Sequence, residues 1–184
     1  MEIIKTDFQD LRIIKPQVFK DPRGYFFESY NKNKLKDSIG AVEFVQDNQS
    51  KSTVGTIRGL HYQLAPFAQA KLIRVLIGEI YDVVVDLRKH SPTYGNFFGI
   101  ELTEENNTQL YIPKGFAHGF SVLSETAIVS YKTDNFYHHE SERGINFNDP
   151  KLNIDWKVDT NSSVISSKDK VLPSFKEAEK NFNF

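Results

Sequence analysis

The chain has 184 residues, 39% of them hydrophobic and 26% charged, with a formal net charge of −1. That is the balance of one globular domain, and so small a net charge speaks against a partner held by bulk electrostatics, nucleic acid above all. There is no cysteine, which rules out disulfides and thiolate metal sites and accords with a reducing cytoplasm.

The opening MEIIKTDFQDLRIIKP carries acids among its apolar residues, and no later apolar run could cross a bilayer, so neither a signal sequence nor a membrane span is expected. Fifteen Phe and eight Tyr against one Met and one Trp favour strands, since aromatic side chains suit a pleated, half-buried surface. In chain order, strands are expected at 11–19 and 24–30, parted by the turn Asp21-Pro22-Arg23-Gly24. A short helix follows at 31–38, where NKNKLKDSI lacks strand alternation, and then a strand at 42–47. In RGLHYQ, residues 58–63, strand alternation turns His61 to the opposite face from Leu60 and Tyr62. At 71–89, KLIRVLIGEIYDVVVDLRK, two apolar runs flank Gly78-Glu79 and read as a hairpin. In its second arm Ile80, Asp82, Val84 and Asp86 share a partly polar face and Tyr81, Val83, Val85 and Leu87 an apolar one.

Further strands are expected at 97–103, 109–112, 119–123 and 126–132, with turns at Ser91-Pro92 and Pro113-Lys114-Gly115. From Asp149 onward the chain grows polar and less periodic, which predicts a tail of about 150–184 wrapped over the barrel. Within it SFKEAEKN offers a Ser cap with Glu three residues on, predicting a helix at 174–181. Many short strands so spaced predict a mainly β fold, a sandwich or barrel with a few short helices. The chain reads as one domain, without repeats or low-complexity segments.

The stretch IPKGFAHGF, 112–120, has the P-x-G-x-x-H spacing of the second motif of a cupin jelly roll, ending on His118. Metal-binding cupins supply a pair of histidines two apart and a later carboxylate in their first motif, a nitrogen and oxygen set suited to iron or manganese. Here His61 is followed by Gln63, which breaks the pair, so no metal is expected. His90, His138 and His139 read as surface residues.

VFKDPRGYFFESYN (18–31), FVQDNQSKS (44–52), GTIRGLHYQ (55–63), FAQAKLIRV (67–75), DVVVDLRKHSPTYG (82–95), QLYIPKGFAHGF (109–120), YKTDNFY (131–137), ERGINFNDP (142–150) and SSKD (166–169) resemble, in order and spacing, the dTDP-4-dehydrorhamnose 3,5-epimerase family. The resemblance covers nearly the whole chain. It implies a cupin-like jelly-roll β-barrel, a cytoplasmic homodimer that works without cofactor or metal, and a dTDP-sugar substrate epimerised at C3 and C5 through an enolate.

Such a reaction needs a base, an oxyanion partner and an acid on the opposite ring face. The resemblance makes His61 the base, its ordinary pKa of about 6.5 suiting proton transfer near neutrality, and Asp169 the partner that orients it. Lys71 becomes the oxyanion stabiliser, with His118 sharing the task, and Tyr131 the acid. Arg23 and Arg58 match diphosphate-binding positions, Glu28 a thymine-binding one and Tyr137 a stacking one, with Phe19 or Phe26 as stacking partner. Gln46, Asp47, Asn48, Glu142 and Lys168 match further ligand contacts. The N-terminal segment is implied to reach the neighbouring subunit's site. Without the resemblance, Lys71 reads as a solvated lysine at a strand start, Tyr131 as a core tyrosine, Asp21-Pro22-Arg23-Gly24 as an exposed turn and Glu28 as a solvated strand residue. Ala70 stands where the family commonly has glycine, a change expected to narrow the cavity slightly. Alternative readings are a monoepimerase on a related 4-keto-6-deoxy nucleotide sugar, a metal-dependent cupin oxygenase and a non-catalytic sugar-nucleotide binder.

Overall fold

The computed structural model describes residues 1–184. Two antiparallel sheets make up most of it. The first has six strands in the order β1 (Glu2–Lys5), β2 (Arg12–Lys15), β10 (Gln109–Ile112), β7 (Lys71–Ile77), β12 (Thr126–Thr133) and β5 (Gln46–Thr53). The second has five, in the order β13 (Glu142–Gly144), β6 (Ile57–Gln63), β11 (Phe116–Val122), β8 (Glu79–Asp86) and β9 (Phe97–Thr103). From β5 to β8, and again from β9 to β13, successive strands alternate between the sheets. This is a cupin-like jelly roll, mainly β with few short helices. No helix is long and apolar enough to cross a membrane.

The alternation overturns the hairpin expected at Gly78-Glu79. β7 pairs with β10 and β12, and β8 pairs with β11 and β9, so the two apolar runs lie in opposite sheets. Gly78, at φ +78°, is the corner where the chain crosses from one to the other. A Cβ there would fall 2.0 Å from the Thr126 carbonyl oxygen, so glycine serves close packing as well as the turn.

β8 is buried on both faces, its partly polar one as well as its apolar one. Ile80 and Val84 enter the layer between the sheets with Ile73, Val75, Leu110 and Val129. Val83, Val85 and Leu87 enter a second layer on the outer face of the five-stranded sheet, where Phe147, Trp156, Phe175 and Phe182 cover them. Trp156 is 1% exposed and its indole N–H donates to the Phe147 carbonyl at 2.8 Å.

Several expected elements differ in extent. The strand expected at 11–19 is β2 followed by a break and β3 (Phe19–Asp21), because Pro16 cannot donate to a ladder. The one expected at 24–30 ends early, as β4 (Gly24–Phe26), which pairs only with β3 in an exposed two-stranded hairpin. The strand expected at 42–47 is instead β5, whose polar run QDNQSKST hid it from a hydrophobic pattern. β11 begins three residues before the expected 119–123. The helix α1 (Lys32–Ile39) forms as expected: Asn31 caps it, accepting from the Asn33 and Lys34 amides, and Leu35 is buried. No helix forms at 174–181. Ser174 and Glu177 do exchange the two capping bonds, each at 3.4 Å, yet Phe175, Ala178 and Phe182 are all drawn into the outer core, and only turns remain. A short helix, α2 (Ser167–Lys170), lies where none was expected.

Candidate active site

β6 is irregular in a way that builds one wall of a cavity. His61 pairs with His118 on β11, but Arg58 pairs with Phe120, so β6 carries one extra residue between them. Leu60 and Tyr62 join the outer core while His61 lies between them and lines the cavity, as alternation demands. The bulge turns Arg58, three residues away, to the same cavity. Gly59 makes the bulge possible: it sits at φ +125°, and a Cβ on it would lie 2.5 Å from the Gly119 Cα and 2.9 Å from the His118 carbonyl oxygen. The cavity holds about 650 Å³, a size suited to a small ligand.

Asp169 reaches His61 from α2. Its Oδ1 lies 2.8 Å from His61 Nε2, and its Oδ2 accepts the Gly59 backbone N–H at 3.3 Å. The helix is fixed by Ser166, whose side chain accepts from the Asp169 backbone N–H at 3.0 Å. Asp169's side chain is 4% exposed and that of His61 31%, so the carboxylate is sequestered while the ring opens to the cavity. Burial pushes the Asp169 carboxyl up, but hydrogen bonds from His61, Gly59 and Ser166 together with the charge of His61 outweigh it and hold the group below its ordinary value. An ionised Asp169 must accept from Nε2–H, which leaves the other ring nitrogen free to take a proton.

The facing wall comes from the six-stranded sheet. Lys71 begins β7 and Tyr131 lies near the end of β12, each in register with its neighbours and each lining the cavity. Burial lowers the Lys71 ammonium to about 8, against the pull of Asp82 and Glu142. Burial raises the Tyr131 phenol; the Arg58 guanidinium draws it back and the Glu142 carboxylate adds to the rise. Tyr131 therefore keeps its proton near neutrality and is a donor by character. β5 contributes a polar row, Gln46, Asn48, Ser50 and Ser52, with Asn48 opposite Tyr131. Arg58 Nε donates to Ser52 Oγ at 2.9 Å, spanning from one sheet to the other.

At the mouth, Glu142 accepts from the Tyr137 hydroxyl at 2.8 Å and meets Lys168 Nζ at 2.6 Å. Burial pushes the Glu142 carboxyl up, but these two partners, aided by the charge of His61, hold it below its usual range. The bond to Glu142 raises the Tyr137 phenol. His118 lies beside His61 with Nε2 at 2.9 Å from Asp82, a carboxylate wholly out of solvent. No three His, Cys, Asp or Glu side chains converge as metal ligands would.

Of the site residues read from the sequence, His61, Asp169, Lys71, Tyr131, Arg58, His118, Gln46, Asn48, Tyr137, Glu142 and Lys168 meet in this one cavity. Four do not. Asp47 alternates to the outer face of β5 and pairs with Lys132 at 2.8 Å. Arg23, its side chain 90% exposed, pairs with Asp21 at the tip of the β3–β4 hairpin; Phe26 is 70% exposed on the same hairpin; Glu28 pairs with Lys34 at 2.8 Å. Ala70 does not narrow the cavity: its methyl joins Ile14, Leu35 and Leu72 on the far side of the sheet.

A family model described as dTDP-4-dehydrorhamnose 3,5-epimerase matches residues 5–177. The chain belongs to that family. It is 53% identical over 170 residues to the dTDP-4-dehydrorhamnose 3,5-epimerase of Shigella flexneri, spanning 92% of this chain and 93% of the relative. The crystal structure of the enzyme so named from Elizabethkingia anophelis NUHP1 is 52% identical and superposes with a TM-score of 0.92 over 96% of this chain and 97% of that one. A dTDP-6-deoxy-D-glucose-3,5-epimerase from Legionella pneumophila, solved in complex with dTDP-4-keto-L-rhamnose, is 45% identical, with a TM-score of 0.91 over 96% of this chain and 93% of that one.

In this epimerase-family chain, sequence reasoning passed over Asp82, Ser52 and Gln63 as parts of the site. Asp82 carried a signal: an acid within the apolar run YDVVVD, which a buried strand tolerates only with a partner. Ser52 carried none, since a serine in a polar strand is unremarked until a guanidinium is found against it.

Proposed function

We propose that the protein epimerises C3 and C5 of dTDP-4-dehydro-6-deoxy-D-glucose, giving dTDP-4-dehydro-L-rhamnose. One observation carries the reading: His61, on the five-stranded sheet and paired with Asp169 of α2, faces Tyr131 and Lys71, both on the six-stranded sheet, across the same cavity. A sugar held between the walls has a base on one ring face and a proton donor on the other, which is what inversion at a carbon beside a carbonyl requires. His61 removes the proton beside the C4 carbonyl and Asp169 steadies the imidazolium that forms. Lys71 and His118 hold the negative charge that develops on the carbonyl oxygen. Tyr131 returns a proton from the far side.

Arg58, Gln46, Asn48, Tyr137, Glu142 and Lys168 bind the nucleotide end. Arg23, Phe26 and Glu28, which lie outside the cavity of their own chain, act in a homodimer on the partner's site; the exposed aromatic rings of their hairpin support that assignment. The absence of cysteine is consistent with a cytoplasmic enzyme. Proton NMR of the keto-sugar nucleotide incubated with the protein in D2O tests the reading: deuterium is expected at both C3 and C5, and exchange at one carbon only would make the protein a monoepimerase.

A further inference from the structure

Gln63 stands where a metal-binding cupin would carry its second histidine. The residue is 5% exposed, and its side chain occupies three of the four hydrogen-bonding positions of its amide. Nε2 donates to the Phe67 carbonyl at 2.7 Å and to the Phe136 carbonyl at 3.2 Å, while Oε1 accepts the His138 backbone N–H at 2.8 Å. Phe136 and His138 are the two neighbours of Tyr137. The Tyr137 N–H itself is taken by a second glutamine, Gln46 Oε1, at 3.1 Å. The peptide groups around this one residue are thus gripped by two amide side chains, one from each sheet. The same loop is braced again where the Phe67 and His138 rings lie parallel with centroids 3.7 Å apart, and where Gln69 donates to the Asn135 carbonyl at 2.8 Å.

We propose that Gln63 is a positioning residue that sets the Tyr137 ring at the cavity mouth and so controls affinity for the nucleotide end of the substrate. The inference rests on the reading of the cavity as a sugar-nucleotide site. Tyr137 is 52% exposed and belongs to no strand or helix; its ring is held at the far end by the hydroxyl bond to Glu142 and edge-on by His139, so where the ring can sit between those contacts is set by its backbone. A primary amide presents donor and acceptor side by side, as a peptide group does, so it can hold a carbonyl and an N–H two residues apart in the manner of a neighbouring strand. An imidazole cannot offer two donors and an acceptor at once, which accounts for glutamine at a position that would otherwise suit a ligand.

The test is dTDP affinity, with deuterium exchange into the keto-sugar measured alongside. Gln63→Leu removes the bonds while keeping bulk, and is expected to raise the dTDP dissociation constant about tenfold, as the loss of one to two net hydrogen bonds would, with kcat for exchange altered far less. In a Tyr137→Ala background the same substitution is expected to add little, because the ring it positions is gone. A full effect of Gln63→Leu in that background overturns the inference, as does unchanged affinity in the single variant. Should Gln63→Leu not fold, Gln63→Glu carries the test: its carboxylate faces two carbonyls, so binding is expected to improve on acidification, and a pH-independent ratio to the parent overturns the inference. A parent protein that fails to bind dTDP overturns the sugar-nucleotide reading and this inference with it; one that binds while Gln63→Leu binds equally well overturns the inference alone.

Discussion

Arg58 and His61 are three residues apart on one strand yet face the same cavity, because the bulge at Gly59 resets the alternation between them. The spacing of a guanidinium and an imidazole is thereby written into backbone geometry. Gly59→Ala puts a methyl group against backbone of β11 at a positive φ, where the obstructing atoms cannot swing aside. It is expected to destabilise the protein by at least about 1 kcal/mol and to lower turnover in whatever fraction folds, as read by urea denaturation and specific activity.

His61→Ala is expected to cut deuterium exchange by about 10²–10⁴-fold, the usual worth of a positioned base, while dTDP binding stays largely intact. Asp169→Asn keeps the shape but cannot favour the imidazolium, and is expected to reduce exchange with little change in nucleotide affinity. A His61→Ala variant with near-normal turnover would remove the base from the scheme.

Lys71 gives the pH dependence a sign. Its value is lowered to about 8, so the cation proposed to face the oxyanion is lost as pH rises through that point, and kcat/KM is expected to fall on the alkaline side from about 8. Lys71→Arg should move that limb to higher pH, because a guanidinium keeps its proton. Stability runs the other way. Between about 8 and the ordinary lysine value of 10.5 the unfolded chain binds more protons than the folded one, so this group makes unfolding harder as pH rises. Opposite slopes for activity and stability over one window, absent in Lys71→Met, would identify the group.

Arg23→Ala is expected to weaken dTDP binding even though Arg23 lies outside its own chain's cavity, because in the proposed homodimer it serves the partner. Mixing Arg23→Ala with Arg58→Ala protomers should then restore one intact site per heterodimer, measurable as recovered activity. No recovery, together with a monomeric elution volume, would remove Arg23 from the site.

Trp156→Ala opens a hole in the outer core and orphans the Phe147 carbonyl. A loss of about 3–5 kcal/mol is expected, measured by urea or thermal unfolding.

The class of fold was legible because aromatic-rich runs and evenly spaced turn signals demand paired strands. What went astray was which strands pair. Gly78 between two apolar runs is the same local signal whether the chain doubles back within a sheet or steps across to another, and only the pairing partners of β7 and β8 tell the two apart. β5 was displaced because its inward residues are polar, lining a cavity instead of a core. The cavity residues were legible through the motifs that carry the family resemblance, whereas Asp47 shows the limit of reading by position: its neighbours Gln46 and Asn48 turn inward and alternation sends it out.

The corner at Gly78 has a mechanical corollary. With Lys71 and Tyr131 on one slab and His61 on the other, the separation of the proposed proton donor and acceptor is set by the sheet-to-sheet spacing, roughly 10 Å between backbones, less the reach of the two side chains, and the oily filling between the slabs fixes that spacing. Trimming that filling, for instance at Val129 or Ile73, two residues along from Tyr131 and Lys71, would act as a calliper adjustment on the chemistry without touching any group that carries it out.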